Sequence, residues 1–480
     1  MDTHTQPMQA LQRTSPFALP VKILQFGQGN FMRGFFDWQV DLLNERTGLN
    51  AGVVIVRPRG GSATPLLDVQ DGLFTVLVNG LDVTGTPVKQ QRLVTCVQRE
   101  IDPATMYADY LALAANPDLR FIVSNTTEAG IATNDTDRFG DVPPVAFPAK
   151  LAQFLFARFD AFDGAQDKGV ILLPCELIDQ NGPALKAAVL HFARLWKFDP
   201  AFAQWIDSAC TFCSTLVDRI VTGKPGDADA IETELGYRDQ FLVAAEYYYL
   251  FVIEGPAWVG AELKLAGAGL NVLLVDDIKP YKQRKVGILN GGHTALVPVA
   301  LLAGLTEVGQ AVEDAQVGAW LRAAIADEII PALPMERAGL EAFAADVILR
   351  FRNPAINHKL SSIALNSWSK FAARIMPQLL RYAELHDGAL PQRLVTALAA
   401  TILLYRGGVV ALADDQATLA WFGDAWQRVE AGQSTQGELV RGWLACQRVW
   451  GRDLNQVAGL ADAVVAAMAL IDSKGMRAAI

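Results

Sequence analysis

The chain has 480 residues, a hydrophobic content of 51% and a formal net charge of -10, enough apolar material for two or three domains with buried cores. That charge argues against a nucleic-acid partner, because phosphate binding needs clustered lysine and arginine to displace counterions. No apolar run reaches the roughly 18–20 residues needed to cross a bilayer, and the longest candidate, Ala295 to Leu305, is interrupted by Pro298 and Gly304.

The stretch from Met1 to Pro20 lacks the basic start and apolar centre of a secretory signal. From Val21 to about Asp277 short β-branched runs alternate with helical stretches, which predicts an α/β class with a mostly parallel sheet and crossover helices. Candidate strands are Val21 to Phe26, Val53 to Val56, Arg120 to Val123, Val170 to Leu173 and Val272 to Val275, each apolar enough to be buried on both faces. Between Leu73 and Val88 alternating apolar residues and the punctuation of Gly80 and Gly85 suggest an inserted antiparallel hairpin.

The first strand runs into Gly27-Gln28-Gly29-Asn30, and Phe31 to Asn44 reads as a helix. This is a Rossmann-like turn, in which Gly27 permits the tight bend, Gly29 the approach of a pyrophosphate, and the helix start supplies unpaired N–H groups. Met32 stands where the usual third glycine would be, and Arg33 is either a phosphate contact or a solvated first-turn residue. The second strand ends in Val56-Arg57-Pro58-Arg59 rather than in an acid for the ribose hydroxyls. Arg57 could instead meet a 2′-phosphate, so by this rule NADP(H) is not excluded beside NAD(H). Further on, Ser124-Asn125-Thr126-Thr127-Glu128 either sets hydroxyls beside a nicotinamide ribose or caps a helix with Glu128 in its first turn.

Five cysteines, Cys96, Cys175, Cys210, Cys213 and Cys446, fit a reducing cytoplasm better than a disulfide framework. Cys210 and Cys213 form one CxxC pair, but no second pair completes a tetrahedral site, and no metal is expected. The run Val275-Asp276-Asp277-Ile278-Lys279-Pro280 marks a seam. A Rossmann-like domain is expected over 1–280 and an α-helical substrate domain over 281–480, with helical periodicity in Ala311 to Ala324, Leu360 to Ala373, Arg393 to Leu404 and Leu460 to Leu470.

Just past the seam lies Lys285-Val286-Gly287-Ile288-Leu289-Asn290-Gly291-Gly292-His293. On a helix, Lys285, Asn290 and His293 could gather on one face. Hydride transfer to a ketone creates an oxyanion, which needs a proton donor and neutral hydrogen-bond donors. Lysine and asparagine suit those tasks. The plainer reading is a surface lysine, an asparagine at a helix end and a packed histidine.

Lys285, Asn290 and His293 at this spacing, Thr215-Leu216-Val217-Asp218-Arg219-Ile220, and Cys175-Glu176-Leu177-Ile178-Asp179-Gln180-Asn181-Gly182 together resemble the mannitol dehydrogenase family of polyol-specific long-chain dehydrogenases. In the helical part Arg350-Phe351-Arg352-Asn353-Pro354 and Ser367-Trp368-Ser369-Lys370 are similar to further family segments. The resemblance implies a metal-free NAD-linked oxidoreductase. Lys285 would be its acid/base, Asn290 and Asn181 its oxyanion donors, and His293, Asp218 and Lys370 its substrate contacts. Ser362 stands where polyol-oxidising members carry an arginine, and the likeness is strongest to the branch that interconverts a keto-uronate and an aldonate. For the uronate carboxylate, Lys370 with His358 or Arg374 supplies cations. Rival readings are another keto-uronate reductase, a sugar-alcohol dehydrogenase, or a protein that binds NAD as a redox sensor without turnover. Oligomeric state is not legible.

Overall fold

The run Val21–Phe26 (β1) follows Pro20 and ends against Gly27, so its bounds are set by residues that cannot continue a buried strand. In the computed structural model, which describes residues 8–14, 19–61, 64–127, 130–355 and 358–480, twelve further strands follow. They are Gly52–Val56 (β2), Phe74–Leu81 (β3), Pro87–Val94 (β4), Val97–Ile101 (β5), Phe121–Ser124 (β6), Ile171–Pro174 (β7), Thr211–Phe212 (β8), Ser214–Asp218 (β9), Val221–Gly223 (β10), Val243–Glu246 (β11), Leu250–Glu254 (β12) and Val272–Val275 (β13). The chain separates into two units, Met1–Asn79 with Pro87–Ile278, and Gly80–Thr86 with Lys279–Ile480.

In the first unit a six-stranded sheet has the order β5-β2-β1-β6-β7-β8, and every neighbouring pair is parallel. The chain builds outward from β1 through β2 to β5, then returns to build outward from β6. The order therefore reverses between β1 and β6, the place where an open parallel sheet leaves a crevice beyond its strand ends. Side chains alternate between two cores as the two-residue strand period requires. Ile23, Val53, Ile55, Val123 and Leu173 join Phe35 and Phe251 on one face. Leu24, Phe26, Val54, Val56, Ile122 and Leu172 join Tyr110, Phe154 and Phe192 on the other.

Not every apolar run joins this sheet. The expected strand at 272–275 pairs instead with β12 in a three-stranded sheet, β13-β12-β9. The hairpin between 73 and 88 is real but longer, β3 and β4 lying in a four-stranded sheet with β11 and β10. Its turn closes where Asp82 N–H donates to the Thr86 carbonyl at 2.9 Å.

Helices dominate the second unit. Lys279–Leu302 is one helical run of 24 residues, made of Lys279–Arg284, a π-turn over Lys285–Asn290, and Gly291–Leu302. Pro298 lies inside it and does not interrupt it. By length and composition this run could cross a membrane, but 67% of its most apolar window is buried within the protein, as in a core helix. The expected helix at 311–324 is split by Asp314, which caps Ala315–Ala323 by accepting from the Gln316 and Val317 amides at 3.0 Å. The one at 360–373 breaks at Asn366, whose φ of 54° is left-handed, into Leu360–Ile363 and Ser367–Arg374. Behind the latter, Trp368 stacks on Phe422 at 5.3 Å and packs against Trp443 and Tyr405.

Candidate active site

The glycine turn is shaped for close backbone approach. Gly27 has φ +117°, and a Cβ there would lie 2.8 Å from the Asn125 carbonyl oxygen; its N–H donates to Val56 O at 3.0 Å, tying the ends of β1 and β2. A Cβ on Gly29 would meet nothing within 4 Å, so the space beside it is open. The helical run begins at Asn30 and passes through a π-turn, Arg33–Asp37, into Trp38–Thr47. Its first internal bond is Arg33 N–H to Gly29 O, 3.2 Å, which leaves the preceding N–H groups for a ligand. These features fit a pyrophosphate.

Arg33 is neither a solvated residue nor an open phosphate contact. It is buried, donates to Gln28 O at 2.5 Å and Asn30 Oδ1 at 2.8 Å, and lies over the Phe74 and Phe241 rings. Burial lowers its pKa, opposed by Asp37, Asp239 and Glu100. Beneath the turn Gln25 donates to Gly27 O at 2.9 Å and to Asp37 at 3.3 Å. Burial pushes the Asp37 carboxyl up to about 7. Arg57, at the end of β2, is 2% exposed and is not displayed to a phosphate. Its Nε lies 2.7 Å from Glu100 and its Nη2 2.8 Å from Pro65 O, so its charge is matched inside the protein.

Beyond β6 the hydroxyls are also committed. Ser124 Oγ donates to Glu176 at 3.0 Å, while the Thr126 hydroxyl and amide both donate to the other Glu176 oxygen at 2.9 Å. Burial raises the Glu176 pKa, and the Thr126 and Ser124 donors oppose the rise. Asn125 donates to Cys175 O at 2.8 Å. No helix starts at 124–127, so the capping alternative fails there; Glu128 lies outside the described residues. Asn181 is 1% exposed. Its Nδ2 donates to the carbonyls of Pro174, Glu176 and Thr215, and its Oδ1 accepts from Thr215 N–H at 2.9 Å. Its amide hydrogens are spent on the backbone, which departs from the expected role of oxyanion donor. Asp218 closes β9 and is 5% exposed. The adjacent Arg219 is structural: it donates to Gly34 O and Glu246 O and stacks on Trp38 at 4.2 Å. Cys210 and Cys213 are buried thiols, each pushed up to about 12 by burial.

In the second unit the π-turn decides the geometry around Lys285. Residues five apart on an α-helix diverge by about 140°, whereas a π-turn spans five residues per hydrogen bond and brings them back toward one face. Lys285 and Asn290 bound this turn, and His293 follows one α-helical step later. His293 stacks on Phe351 at 3.9 Å and meets His358 edge-on at 5.1 Å. Its Nε2 is shielded from solvent without a hydrogen-bond partner among the described residues. Burial drives its pKa well below the usual value, with His358, Arg350, Arg374 and Lys370 adding to the fall. Lys370 Nζ donates to Ile363 O at 2.9 Å, and burial followed by Arg374 lowers its pKa. Arg374 donates to the Thr294 hydroxyl at 3.4 Å. The structure thus brings together His293, His358, Lys370 and Arg374, and adds Arg350. That arginine was visible in the sequence only as part of a motif; its field at His293 depends on a fold contact between residues 57 positions apart.

Two family models cover this architecture, the mannitol dehydrogenase Rossmann domain over residues 21–267 and the mannitol dehydrogenase C-terminal domain over 277–472. The chain belongs to the mannitol dehydrogenase family. Within that family it is 52% identical over 466 residues to the altronate oxidoreductase of Yersinia pestis, covering 96% of each chain. To that of Cronobacter sakazakii it is 53% identical over 475 residues, covering 98% of each. A substrate-free D-sorbitol dehydrogenase matches its fold with a TM-score of 0.77 at 22% identity, over 99% of this chain and 98% of that one. The Pseudomonas fluorescens mannitol 2-dehydrogenase, solved with NAD and D-mannitol, matches at 0.66 and 22% identity, over 98% and 96%. At that identity the two structures establish the mannitol dehydrogenase fold.

Proposed function

We propose that the chain interconverts D-tagaturonate and D-altronate with NADH and NAD as coenzyme, in the cytoplasm. The observation that carries this reading is the cationic cluster of the second unit. A keto-uronate differs from a ketose by a carboxylate, and a carboxylate needs charged donors. Arg374 and Lys370, with His358 beside them, supply those donors around His293, and Lys370 has spent one N–H on Ile363. The names of the relatives at 52–53% identity agree. All five cysteines are free thiols, as a reducing compartment requires.

The glycine turn, with Gly27, Gly29 and Asn30, holds the coenzyme pyrophosphate, and NADH when bound supplies the hydride to the ketone carbon. Arg33, Asn125 and Thr126 keep that turn and its neighbouring strand end in shape rather than touching phosphate. Lys285 gives a proton to the carbonyl oxygen as it gains charge and, neutral, takes one from the alcohol in reverse. Asn290 donates a hydrogen bond to the same oxygen. Asn181 holds the β7 turn. His293, kept neutral by its setting, offers Nε2 to a substrate hydroxyl, and Asp218 accepts from another.

A panel of keto-uronates and ketoses, followed by NADH absorbance, tests the assignment. Tagaturonate should give the highest kcat/KM; a preference for fructuronate, or for fructose, would overturn it.

A further inference from the structure

We propose that this chain also takes NADPH, through Arg59, which receives the 2′-phosphate of the adenosine ribose. The inference rests on the dinucleotide reading of the glycine turn and extends it to the other end of the coenzyme. In a sheet of this order the adenosine ribose lies beyond the end of the second strand. There an acid selects the free hydroxyls and an arginine accommodates the phosphate. Val56 O bonds the Gly27 amide, so the residues that follow Val56 start beside the turn, and three residues reach at most about 10 Å further.

Those residues are Arg57, Pro58, Arg59, Gly60 and Gly61, without a carboxylate among them. Arg57 is removed from the contest by its buried pair with Glu100. Arg59 is exposed, and no ion-pair partner engages it among the described residues. The span that carries it is held on both sides. Pro58 restricts the backbone before it. Gly60 packs so closely that an added Cβ would lie 2.6 Å from Ala104 Cβ and 2.7 Å from Asp102 Oδ1. Asp102 is the nearest acid after β5, but its carboxylate accepts the Gly61 amide at 3.0 Å and the Ala104 amide at 2.9 Å. It builds the loop and is not presented to a ribose. A guanidinium on an anchored loop, whose neighbouring carboxylate Asp102 is committed to the Gly61 and Ala104 amides, matches a phosphate by charge and by its planar donor fork.

The test is binding, read as energy transfer from the protein's tryptophans to the reduced nicotinamide, with NADH and NADPH titrated into the full chain. Wild-type protein should bind NADPH within tenfold of NADH, and Arg59→Glu should lower the NADPH-to-NADH affinity ratio by tenfold or more. Arg59→Ala should fall between them, and raising the salt should narrow the gap between wild type and R59E. A wild-type ratio beyond tenfold in favour of NADH, or an R59E ratio equal to wild type, would overturn the proposal and leave the NADH reading intact. Failure of both coenzymes to bind would instead take down the dinucleotide reading.

Discussion

Lys285 carries the proton in the proposed reaction, while the carboxylate falls to Arg374 and Lys370, and the two tasks separate in kinetics. Lys285→Ala should cut kcat by orders of magnitude while NADH still binds, measured by stopped-time NADH oxidation beside a fluorescence titration; near-normal turnover would refute the role. Arg374→Ala should act on binding. Losing a charge-assisted pair costs about 2–3 kcal/mol, so KM for tagaturonate should rise by about 100-fold, with kcat changed far less. If kcat falls and KM holds, Arg374 is not the carboxylate's partner. His293 belongs to the same scale: its lowered pKa comes first from burial and then from the fields of His358, Arg350, Arg374 and Lys370, so it stays neutral where a free histidine would already be protonated.

At the scale of elements, the carboxylate of Glu176 matters because it joins two strand ends. It gathers three donors, from Ser124 at the end of β6 and from Thr126 just beyond it, onto the second residue after β7, beside the crevice at the switch point. Glu176→Ala leaves those donors buried without an acceptor, which costs about 1–3 kcal/mol each. Urea unfolding should show a loss of that order, and the affinity for NADH should fall with it. A variant as stable as wild type with unchanged affinity would show that the strand ends hold themselves. The π-turn at Lys285–Asn290 is the other deciding element. An α-helical period places Asn290 away from Lys285, and one widened turn corrects this without breaking the helix.

For the molecule as a whole, stability should depend on pH through Asp37. Its pKa is raised from 3.8 to about 7, chiefly by burial, so the folded state binds this proton more tightly than the unfolded chain does. The stabilising contribution is therefore full below about pH 4 and is lost as pH rises towards and through 7. Asp37→Asn, which keeps the shape and removes the charge, should flatten the stability profile between pH 5 and 8 and raise the melting temperature at pH 8. A profile as steep as that of wild type would mean that Asp37 stays ionised in the fold.

Local pattern determined much of this protein. Strand β1 is bounded by Pro20 and Gly27, two residues whose limits are intrinsic to their own backbones. Apolar runs of four to six residues mark strands, buried on both faces in β2, β6 and β7 but only half-buried in the equally apolar β13, and the spacing of Lys285, Asn290 and His293 is a property of one segment. Tertiary structure alone decided which sheet each strand joins, so Val272–Val275 pairs with β12 rather than extending the main sheet. It also decided which polar groups are already spent. Arg57 meets Glu100 across 43 positions, and Asn181 meets Thr215 across 34. A side chain's availability for ligand depends on partners that only folding brings within about 3 Å. For that reason Arg57 reads in isolation as a phosphate contact and in the fold as a buried pair, leaving Arg59 as the exposed charge at that strand end.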